Sequence, residues 1–184
     1  MMKRESKGLG SCIYSEWIIL IVDYYRVLRK SEVIYETVVP VIGAILCSII
    51  YYNIGKVYIA LKGLSNILPT AISVLIGFTA MLITLLLTSN SDSVNKLKSI
   101  TLEKRIHNQE VSLYHGLLIQ FSHILVSEIV LLISVFFYLF CAGVGIGLVV
   151  AVLLLAVEIY LILNILLSVL RGITNIYFSF YRIK

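Results

Sequence analysis

Two uncharged stretches of 29 residues, one between Lys62 and Asp92 and one between Glu128 and Glu158, constrain this chain more than any other feature. A run of about 20 apolar residues crosses a bilayer as a helix, so a chain with two such stretches is an integral membrane protein of several helices. The composition agrees: 60% of the 184 residues are hydrophobic and 14% charged, against roughly 45–50% and about 25% in a soluble domain. The remaining polar sequence falls into pieces of about 35, 20 and 15 residues, too short to bury a core of their own. A nucleotide-binding domain or separate soluble enzyme is therefore excluded. No nucleophile elbow, phosphate loop or rhomboid-like Ser/His pairing is present, so the chain is not expected to be an enzyme.

The patterning predicts an all-α polytopic protein with an N-terminal amphipathic helix and four transmembrane helices. On a helical wheel, Ile13 to Lys30 gathers Trp17, Leu20, Ile21, Tyr24, Tyr25 and Leu28 on one arc, with Asp23, Arg26, Arg29 and Lys30 opposite. That pattern suits a helix lying in the membrane interface, and residues 1–36 form the first segment. The membrane domain covers 37–170. Its first span is expected from near Val38 to Tyr58, with Pro40 in the opening turn. The second follows the capping pair Ser65-Asn66 and runs through Leu87. Leu102, Ile106, Leu113 and Leu117 recur at helical spacing in the polar loop 89–116, which predicts that the third helix extends out of the bilayer. Its spanning part is Leu117 to Phe140. The glycine-rich link Cys141 to Gly147 makes a tight hairpin into a fourth helix at 148–170, and 171–184 is an interfacial tail.

Orientation follows from the cations. Thirteen of the 15 Lys and Arg fall on one side of this layout, including Arg26, Arg29, Lys96, Lys98, Lys104 and Arg105, and only Lys56 and Lys62 fall on the other. That bias places both termini and the central loop in the cytoplasm. The three cysteines, Cys12, Cys47 and Cys141, imply no disulfide framework. His107, His115 and His123 recur every eight residues, a spacing that spirals about 80° per step, so no metal site and no cofactor are expected.

Glu128 and Glu158 are the sharpest signal. Each lies near the middle of a span, and the hairpin brings both to similar depth. A lone ionised carboxylate there costs about 3 kcal/mol on insertion scales, and such groups normally face a bundle interior or water and mark an ion or proton path. Gln120, His123 and Ser127 lie on one polar stripe of the third helix within about 60°, with Glu128 some 80° from Gln120; Asn164 lies on the fourth. These six are the expected ion pathway. Ser73, Gly77, Ala80 and Thr84 on the second helix, and Gly143, Gly147 and Ala151 leading into the fourth, make small-residue stripes suited to helix packing.

The layout as a whole, with an amphipathic N-terminal segment, a basic central loop at Lys96, Lys98, Lys104 and Arg105 and the intramembrane acids Glu128 and Glu158, resembles the small membrane components of bacterial antiphage defence. The Hailong-type membrane effector is the nearer resemblance and the Kiwa-type membrane sensor the second. The first implies a tetrameric ion channel with an electronegative interior, in the bacterial inner membrane, held shut by DNA oligomers that a partner nucleotidyltransferase makes. Arg26, Arg29, Lys96, Lys98, Lys104 and Arg105 would then meet a polyanion or partner protein. A single four-helix chain is too thin to enclose a wide aqueous path, so conduction calls for a homo-oligomer that multiplies the glutamates into an acidic ring. The expected function is thus a gated cation pore that depolarises the membrane. The alternatives are a non-conducting sensor or scaffold that recruits a soluble partner, and a proton-coupled small-molecule transporter.

Overall fold

The computed structural model describes residues 16–89, 92–106 and 109–181. The chain is nearly all helical. Its elements are α1 (Glu16–Val27), α2 (Lys30–Asn53), α3 (Val57–Thr88), α4 (Asp92–Ser99), β1 (Thr101–Ile106), β2 (Gln109–Ser112), α5 (Leu113–Ala142) and α6 (Leu148–Tyr181). α2, α3, α5 and α6 are long and apolar enough to cross a membrane. At 1.5 Å per residue the 32 residues of α3 extend about 48 Å, well beyond the ~30 Å hydrocarbon core.

Several boundaries differ from the expected ones for local reasons. α2 starts eight residues before Val38, because Glu32 reaches back to accept from the Arg29 N–H at 3.0 Å and fixes a helix start there. Pro40 therefore lies well inside α2, not in its opening turn. α2 stops at Gly55, whose φ of +69° is a left-handed conformation that closes helices, and whose N–H reaches back to the Tyr52 carbonyl. α3 consequently begins at Val57, and the expected cap Ser65 is interior to it, donating back to the Lys62 carbonyl at 3.0 Å. The loop 89–116 is not a helical extension of the third span. It contains the short helix α4 and an antiparallel hairpin pairing Arg105 with Glu110 and Ile106 with Gln109, and Ser112 caps α5 by accepting from the His115 N–H at 3.3 Å. The apolar period of Leu102, Ile106 and Leu113 coincides with a hairpin in which Thr101, Ile106 and Val111 are β-branched. At the other extreme, α6 runs on through Tyr181, so residues 171–181 are helix and not a separate tail.

α6 packs between α2 and α5, and α5 packs against α3, whereas α2 and α3 scarcely touch although three residues join them. Two ends result. The far end holds the turn at Ile54–Lys56 and the link Gly143–Gly147, tied where the Tyr58 hydroxyl donates to the Ile146 carbonyl at 2.8 Å. The other, the α1 end, holds α1, α4, the hairpin and the last turns of α6; there α1 lies on α5 and β1. Ile72, Leu117, Ile124, Leu131 and Val135 form the main core. Large apolar side chains such as Ile59, Val74 and Phe140 are exposed around the outside, the surface a lipid environment requires.

Candidate functional site

Glu128 and Glu158 are both 0% exposed, enclosed within one chain. Glu128 projects from α5 toward α3, where the Thr79 hydroxyl donates to its Oε1 at 3.0 Å. Its Oε2 finds no protein partner, and neither oxygen of Glu158 does. Glu158 lies within electrostatic reach of Tyr138 on α5. No hydrogen bond joins the two carboxyls among the described residues, so each has its own surroundings. Ser127 is buried beside Glu128. An unpaired polar group in such a place lowers stability and calls for a physical explanation.

Toward the α1 end the polar groups are, in contrast, closely tied. Tyr24 of α1 is 1% exposed. Its hydroxyl donates to Glu36 of α2, lies 3.0 Å from Ser168 Oγ of α6 and accepts from Arg171 Nη2 at 3.2 Å. Burial pushes the phenol's pKa up, against the opposing pull of Arg171. Its ring stacks on His123 of α5, with centroids 3.7 Å apart and planes 3° from parallel, while the Arg171 guanidinium lies 5.2 Å from the same ring. Arg171 also pairs with Glu36 at 2.9 Å. Four helices thus meet around one tyrosine.

Asn164 and Gln120 belong to this end as ties. Pro40 has no N–H, which leaves the Glu36 carbonyl without its helical partner, and Asn164 Nδ2 donates to that carbonyl at 3.0 Å. Gln120 Nε2 donates to the Ser168 carbonyl at 2.8 Å, and its Oε1 accepts from Asn175 at 3.4 Å. Of the six residues expected on an ion pathway, then, Glu128, Glu158 and Ser127 are buried in the middle of the bundle. His123 lies under α1, and Gln120 and Asn164 hold helices together.

The small-residue stripes are placed differently from expectation. Ser73, Gly77 and Thr84 are exposed and Ala80 half-buried, because the buried face of α3 is that of Ile72, Thr79 and Leu86, about 140° round the helix. A Cβ on Gly77 would meet nothing within 4 Å. Gly143 and Gly147 are exposed in the link, and only Ala151 packs, at 0% exposure against Val57 and Leu61. The close approaches are at other glycines: a Cβ on Gly43 would come within 2.7 Å of Leu163, and one on Gly172 within 3.2 Å of Gln120. Arg26, Arg29, Lys96 and Lys98 are exposed at the α1 end; the side chains of Lys104 and Arg105, and His107 altogether, lie outside the described residues. His115 contacts Ser112 at 2.8 Å, away from His123.

Sequence reasoning missed Tyr24, Glu36, Thr79, Ser168 and Arg171. Glu36 had a signal, standing four residues before a proline. No family model matches the chain, and no curated protein or solved structure matches it.

Proposed function

We propose that this chain moves protons across a bacterial cytoplasmic membrane through the interior of its own helical bundle, with Glu128 and Glu158 taking up and releasing the proton. The observation that supports it is the enclosure of both carboxyls with three oxygens unpartnered. An acidic ring about a shared axis needs carboxylates on the outer surface of each chain, and these two are inside. A bulky hydrated cation does not fit so tight an interior, whereas a proton needs only a succession of groups that exchange it. Copies assembled into a homo-oligomer would then carry parallel paths.

The basic α1 end faces the cytoplasm by the distribution of Lys and Arg. One charge crossing ~100 mV releases about 2.3 kcal/mol, so an opened path would depolarise the cell, in keeping with a defence effector. The test is proton entry into proteoliposomes under a potassium diffusion potential, followed with a trapped pH-sensitive dye. Entry above that of empty vesicles is expected, falling to the empty-vesicle rate in the Glu128→Gln, Glu158→Gln double variant. Absence of entry in every condition would favour the non-conducting scaffold, which would use the same exposed cytoplasmic end.

A further inference from the structure

A membrane-surface helix is ordinarily held by its apolar face. α1 leaves Trp17, Ile18, Ile19 and Val22 between 42% and 50% exposed, and its deepest side chain is Tyr24, whose tip is polar. One donor and two acceptor sites are all that a phenol offers, and here Glu36, Arg171 and Ser168 use the three. The ring below them covers His123. His123 precedes Glu128 on α5 by five positions, about 7.5 Å along the helix. Glu128 lies some 140° round α5 from His123 and faces α3, so Tyr24 covers a buried polar group of α5 on the α1 side of that carboxyl, less than two turns short of it. Only Leu28 and Arg29 connect α1 to α2, which gives α1 a short pivot.

We infer that α1 is a removable plug: docked through Tyr24 it closes the α1 end of the path, and when it lifts His123 meets water. The inference rests on the proton-path reading above, and adds to it what holds native entry to the slow rate of the brief openings of α1. Lifting breaks the cluster around the hydroxyl and the ring stack, and the 12 residues of α1, too few to hold a helix by themselves once undocked, then open their own backbone bonds. Tyr24→Phe keeps the stack and loses the polar contacts. Tyr24→Ala loses both.

The experiment measures amide hydrogen exchange of α1 and proton entry on the same reconstituted vesicles, for the native chain, Tyr24→Phe, Tyr24→Ala, and Tyr24→Ala with Glu128→Gln. Exchange reports local opening directly, and Trp17, the chain's single tryptophan, gives a parallel fluorescence signal from α1. Tyr24→Ala is expected to speed α1 exchange at least tenfold with α5 and α6 unchanged, and to raise proton entry at least fivefold. Tyr24→Phe should fall between. Adding Glu128→Gln should return entry to the empty-vesicle rate. If α1 loosens while a Glu128-dependent native flux stays the same, the plug is wrong and the path survives. If α1 loosens and no variant exceeds empty vesicles, the path falls and the plug with it. Unchanged α1 exchange in Tyr24→Ala would also refute the plug, as would a raised flux indifferent to Glu128→Gln.

Discussion

Three glutamates are buried among the described residues, and their neighbours differ. Glu36 is 4% exposed, and Glu128 and Glu158 are 0% exposed. Glu36 has an arginine at 2.9 Å and a tyrosine hydroxyl donating to it. Glu128 has one threonine, and Glu158 has no hydrogen-bond partner. Burial alone therefore does not say what a carboxyl is for. A buried acid with a cation paired to it and a hydroxyl donating to it fixes helices in place, and its removal or the removal of a partner is felt as lost stability. A buried acid left nearly bare contributes little to holding the fold, so its retention points to chemistry. The comparison sets Glu36 in the architecture and leaves the other two as the carboxyls on which the proposed proton path depends.

The largest expected effect comes from breaking the partnered side. Arg171→Leu leaves the Glu36 carboxylate enclosed beside a phenol and no cation, which costs about 3–5 kcal/mol. Denaturation of the detergent-solubilised protein should show it, and Arg171→Leu combined with Glu36→Leu should recover most of the loss. If the double variant is as unstable as the single, the cluster is held by something other than the ion pair. A smaller effect tests the proline. Asn164→Leu should cost about 1.5 kcal/mol, because the Glu36 carbonyl then has no donor at all. In a Pro40→Ala background the restored N–H at position 40 can donate to that carbonyl, so Asn164→Leu should cost less than half as much. Equal costs in the two backgrounds would show that the asparagine acts elsewhere.

Much of this architecture could be read before any coordinates, and what could not has a common cause. Four apolar runs are properties of single segments, and the helices follow them. The partner of a buried group is a property of two segments. Tyr24 lay on the arc expected to meet lipid or neighbouring helices, yet only the meeting of α1, α2, α5 and α6 shows that its hydroxyl enters a polar cluster. Ser73, Gly77 and Thr84 form a legible stripe, but which face of α3 turns inward depends on how α5 fits Thr79. The central loop departs from a helix because Leu102, Ile106 and Leu113 fit a helical period by chance, while Thr101, Ile106 and Val111 supply strand preference.

Smaller effects test the bare side of the comparison. Thr79→Val removes one hydrogen bond between membrane helices, a change of about 0.6 kcal/mol, while leaving Glu128 with no partner, as Glu158 already is. If Glu128 handles protons, the proton-entry rate should change in Thr79→Val by more than stability does. Glu158→Gln should have the least effect on folding, within about 0.5 kcal/mol of the native chain, because neither of its oxygens has a bond to lose. Its amide cannot exchange a proton, so the same variant should lower proton entry at least tenfold. A stability loss above about 2 kcal/mol in Glu158→Gln would place this residue with Glu36, as an architectural acid whose partner is contributed by something outside the chain. Then the distinction between partnered and bare carboxyls would no longer separate structure from function, and the path would have to be sought through Glu128 alone.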